Sequence, residues 1–218
     1  MNIILEGVDE TVGVRTHPYD GAEYDGRVKH YDFVNHPELI RTSLEDFKPW
    51  EKYEAIEWFY QLLEWLNGPT SVFETSDCRL EAPQANQNPK VPCDLVLRGR
   101  LMVFFRDITL NYADIVSDTN YLVNSRVSRL GTGAASCLKS VHKDIWWNTI
   151  QIFFFPTNFP QANNQDVILG QQLVFQFTCF NNDEKGTFEA FKFVIHGLMG
   201  ALKLAHQEFS AEFNQQKQ

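Results

Sequence analysis

No stretch of uncharged apolar residues approaches the 18 or so that a membrane-spanning helix needs, so a helical membrane protein is set aside. Basic residues are in deficit, 19 Lys and Arg against 28 Asp and Glu, and the net charge of -9 repels polyanions on average. Because phosphate contacts depend on basic side chains, no nucleic-acid partner is expected. The four cysteines, Cys78, Cys93, Cys137 and Cys179, form no Cys-x-x-Cys pair, which argues against a zinc cluster and for reduced thiols. The opening Met1-Asn2-Ile3-Ile4-Leu5-Glu6 has no basic segment, and its apolar run is too short for a secretion signal. A soluble cytoplasmic protein is the expectation.

Signatures of chemistry are missing as well. Gly131-Thr132-Gly133 lacks the third glycine of a dinucleotide fingerprint and the Gly-Lys-Ser/Thr of a P-loop. There is no Gly-x-Ser-x-Gly and no His-Glu-x-x-His, and no internal repeat. No cofactor or metal is assigned.

What the chain does have is apolar pattern. With 218 residues and 44% hydrophobic content it can bury roughly 70% of its unfolded surface, enough for one domain over 1–218 without staples. From Thr187 to Phe213, residues Phe188, Phe191, Val194, Ile195, Leu198, Met199, Leu202 and Phe209 recur at three and four, forming one helical stripe. A second helix is expected near 49–66, with Pro49 in its first turn and Asn67-Gly68-Pro69 ending it. Alternation marks strands over Asp94 to Ile108 and Gln171 to Asn181. An aromatic run from Asp144 to Phe155, closed by Pro156, reads as another, and Ser71 to Glu81 is a further candidate. Residues 1–45 read as loop-rich, apart from an apolar start that suits an edge strand. Gly131 to Ser136 reads as a turn or loop, and 214–218 as a frayed tail. The fold expected is α+β: an antiparallel sheet of three to five strands, covered on one face by the long C-terminal helix and the helix near 49–66.

Five groups of side chains compete as sites. His17, Asp20, Glu23, Asp25, His30, Asp32 and His36 are metal-binding types, but their spacing matches no ligand pair and they read as a solvated loop. Cys137, His142 and Asp144 have the types of a thiol nucleophile, base and orienter, which sequence proximity alone does not assemble. Arg98, Arg100 and Arg106 share a strand face, where they would clamp a small anionic ligand or pair with acidic neighbours. On the last helix His206 lies at the margin of the stripe, while His196 faces outward. Nearby Gly197, Gly200 and Ala201 form a smooth patch open to close approach by a backbone or ligand. Trp58 and Trp65, one heptad apart, flank Glu57 and Glu64, the composition of a protein interface or the finish of a core.

A non-catalytic binding or regulatory protein, acting through a protein partner or self-association at the Trp58 and Trp65 surface, is therefore the first expectation. A metal-dependent or cysteine hydrolase, and a binder of a small acid between sheet and helix, are the alternatives.

Overall fold

The fold is that of a computed structural model, which describes residues 2–8, 15–16, 32–112, 114–116, 121–123, 125–141, 148–160 and 167–215. Strand β1 (Asn2–Val8) and the two-residue β2 (Arg15–Thr16) come first, followed by a single helical turn, α1 (Leu39–Thr42). The helix expected from Pro49 begins later. Pro49 sits in a 3-10 turn over Lys48–Trp50, Tyr53 is extended at the N-cap, and α2 runs from Glu54 to Asn67. Proline suits the short turn because its fixed φ and missing N–H cost nothing there. Strands β3 (Phe73–Leu80), β4 (Gln84–Ala85) and β5 (Leu95–Phe105) follow, then a small hairpin of β6 (Asp114–Val116) and β7 (Tyr121–Val123). Helix α3 (Ser125–Val141), strands β8 (Thr149–Pro160) and β9 (Val167–Asn181), and helix α4 (Glu184–Gln215) complete the chain.

The main sheet has the order β1-β8-β9-β5-β3, with β2 alongside β8 and β4 alongside β5. Neighbours from β8 to β3 are antiparallel, whereas the edge strand β1 runs parallel to β8. Alternation sends Leu97, Leu101, Val103 and Phe105 of β5, and Leu173, Phe175, Phe177 and Cys179 of β9, to one face. There α2, α3 and α4 lie over them in one continuous core. All eight residues of the α4 stripe are at most 5% exposed. Burying each stabilises the fold by roughly 1.5–3 kcal/mol relative to leaving it in water.

Three rings tie the layers together. Phe59 of α2, Phe177 of β9 and Phe191 of α4 meet pairwise with centroids 5.1 to 5.9 Å apart. Gly99 of β5 makes room for them: a Cβ at this position would overlap the Phe177 ring and come within 2.6 Å of the Arg79 carbonyl.

Two further expectations fail. The segment Gly131 to Ser136, expected as a loop, lies inside α3, whose buried Val127, Leu130, Gly131, Ala134, Ala135 and Leu138 follow helical spacing. Gly131 lets this helix settle on the sheet, its missing Cβ standing 3.1 Å from Leu173 and 3.4 Å from Phe154. Pro156 does not end β8, which continues to Pro160. Within this longer strand Pro156 stands opposite Gln171 of β9. No helix among the described residues is long and apolar enough to cross a membrane.

Candidate functional site

Helices α2 and α4 run side by side in the same direction, locked by a ladder of constant register. Lys192 Nζ donates to Glu54 Oε2 at 2.5 Å, His196 stacks edge-on to Trp58 with ring centroids 5.0 Å apart, and Lys203 Nζ lies 5.7 Å from the centroid of Trp65. Each pair is 138 residues apart in sequence. Trp58 and Trp65 are both half-buried and stand along this seam, with Trp65 also edge-on to Phe73 and His206. The indole Nε1 of Trp58 donates to Glu54 Oε1 at 3.2 Å. His206, at the stripe margin as its spacing predicts, accepts a hydrogen bond at Nδ1 from the Val72 backbone N–H at 3.3 Å, and burial lowers its pKa.

The acidic face of α2 carries an Arg41 clamp. The guanidinium donates to both carboxylate oxygens of Glu57 at 2.8 and 2.9 Å and to those of Glu64 at 2.5 and 3.2 Å. These bonds hold the Glu57 carboxyl down at about 2.

The outward side of α4 is different. Phe193 is 51% and Leu204 53% exposed, the two large apolar side chains open to water among the described residues. At 100° per residue, Phe193, Gly200, Leu204 and Gln207 fall within about 60° of one another on a single ridge. Gly200 is exposed, with nothing within 4 Å of the position a Cβ would take. His196, Trp58 and Trp65 border the ridge on the α2 side. On the α3 side a cavity of about 330 Å³ opens between the helices, lined by Ser128, Arg129, Thr132 and Gly133 of α3 and Ala205, Glu208 and Phe209 of α4. Arg129 closes its end, the guanidinium 5.0 Å from the Phe209 ring centroid and 3.0 Å from Glu212.

The other candidates are scattered. Arg98 and Arg100 project from the sheet face opposite the helices, so the anion pocket expected between sheet and helix is not formed by them. Arg100 donates to Asp77 at 2.6 Å, and Arg106 lies 3.9 Å from Glu74, while Arg98 makes no ion pair among the described residues. Asp32 caps its own turn by accepting from the backbone N–H groups of Val34 and Asn35, and His36 faces Glu38 at 3.3 Å. His17, Asp20, Glu23, Asp25 and His30 lie outside the described residues, as do His142 and Asp144 of the thiol triad. Cys137 is half-buried on α3 against the core. No group of three metal-binding side chains converges among the described residues.

Sequence reasoning found the outward His196, but of the expected smooth patch only Gly200 is exposed, Gly197 and Ala201 being buried, and it missed Phe193 and Leu204. An apolar residue beside a broad apolar stripe carries no signal of exposure until the partner layers are known. No family model, curated protein or solved structure matches this chain.

Proposed function

We propose that this protein is a binding protein without catalysis, and that its docking surface is the outer face of the α2–α4 helix pair. The observation that carries this reading is the ridge of Phe193, Gly200 and Leu204. Two large apolar side chains stand in water on one helix face, with a bare backbone between them. A glycine in an exposed helix costs about 1 kcal/mol relative to alanine. It also brings the backbone within reach of a partner, which a bulky side chain would prevent. Trp58 and Trp65 contribute as the aromatic border of this surface, each already fixed by a partner on α4, so little ordering entropy would be lost on docking. A reducing compartment such as the cytoplasm suits the four free cysteines.

Photo-crosslinking in living cells tests the reading. A benzophenone amino acid at Phe193 or Leu204 is expected to yield a discrete protein adduct, and the same residue at the exposed Glu45 none. Absence of any adduct at 193 and 204 above the level at 45 would overturn the proposal.

A further inference from the structure

We infer that the occupant of this surface is a second copy of the chain, its α4 crossing the first in the antiparallel sense about a twofold axis at Gly200. The inference rests on the docking reading above and adds the partner. An antiparallel twofold centred on residue 200 carries each position of α4 to one equally far on the other side, and four separate features obey that operation.

The first feature is the crossing point, where Gly200 of each copy leaves open space for the other backbone. The second is knob and hole. Phe193 lies seven residues before Gly200, and the cavity between α3 and α4 is lined on α4 by Ala205, Glu208 and Phe209, a stretch centred seven residues after it. Seven residues are about 10 Å of helix, so each phenylalanine meets the mouth of the other copy's cavity. Exposed Gly133 on the rim, with nothing within 4 Å of its missing Cβ, leaves the way in clear.

The third feature lies four residues either side of the axis, where exposed Leu204 of one copy meets His196 of the other, backed by Trp58. The fourth is charge. A twofold sets like against like near its axis, and the ridge positions Phe193, His196, Gly200, Leu204 and Gln207 include no Asp, Glu, Lys or Arg to repel the same residue of the other copy, in a chain of net charge -9. Each apolar side chain of the ridge is covered, and each exposed glycine faces backbone or ring.

Sedimentation velocity over a concentration series, paired with disulfide trapping, tests the geometry. Wild type is expected to be a dimer. Phe193→Asp, placing a charge in the cavity mouth, is expected to weaken dimerisation at least tenfold with an unchanged circular dichroism spectrum. Gly200→Cys is expected to form a covalent dimer under mild diamide oxidation, because the twofold brings the two backbones into disulfide range. Glu189→Cys on the same helix, its mates about 33 Å apart in this register, is expected not to, and neither is wild type. A wild type still monomeric at about 100 μM, or a dimer indifferent to Phe193→Asp, or a Gly200→Cys variant that does not cross-link, would each overturn the inference. A cellular photo-adduct whose mass is that of a different protein would remove the second copy yet keep the docking surface; no adduct at all removes both.

Discussion

Glu74 leaves β3 beside Arg106, its side chain only 20% exposed and its carboxylate 3.9 Å from the guanidinium. Burial pushes its carboxyl up to about 7, against the pull of Arg106 and with help from Asp32. The folded state therefore holds a proton that the unfolded state releases near 4.5. The stability this contributes is full below 4.5 and is lost as pH rises through about 7. Wild type is expected to lose about 1 kcal/mol between pH 5 and pH 8, a value discounted for partial solvent screening, and Glu74→Gln to lose less. Urea midpoints at the two pH values measure this, and equal losses would refute it. The neighbouring arginines show how far single residues were legible. Alternation placed Arg98 and Arg100 on one face, but the partner of Arg100 was hidden. The register of β3 shifts between Thr75 and Asp77, turning Asp77 toward Met102 and the arginine face. Without that bulge Asp77 would oppose Leu101 in the core.

Elements announce themselves when their apolar residues are large. The β5 and β9 strands and the α4 stripe were readable because leucine and phenylalanine mark their periods clearly. Helix α3 was not, since glycine and alanine fill much of its buried face and the helix is held by contact with the sheet more than by propensity. The direction and partner of α2 were also out of reach, because a constant register across 138 residues leaves no local trace. Two glycine substitutions separate these roles. Gly99→Ala is expected to destabilise by about 2 kcal/mol, because overpacking against Phe177 and the Arg79 carbonyl has no room to relax. Gly200→Ala, into open space on a helix, is expected to stabilise the monomer by about 1 kcal/mol while weakening self-association. Thermal melts of dilute protein read both, and a destabilised Gly200→Ala would show that the site is not open.

For the molecule as a whole, three helices over one sheet face account for the core, and the outer side of α4 carries the exposed Phe193 and Leu204. If folding is coupled to pairing, the melting temperature must depend on concentration. A tenfold increase in protein is expected to raise it by about 2 °C in wild type and to leave Phe193→Asp unmoved. Scanning calorimetry at two concentrations checks this. The sheet order carries one more implication. Its middle strand, β9, comes after every other described strand, and the helix that roofs it comes later still. During synthesis, the phenylalanines of α2 and β5 therefore leave the ribosome without their principal neighbours. The nascent protein must keep that greasy surface shielded, by chaperones or by delay, until β9 and α4 have emerged.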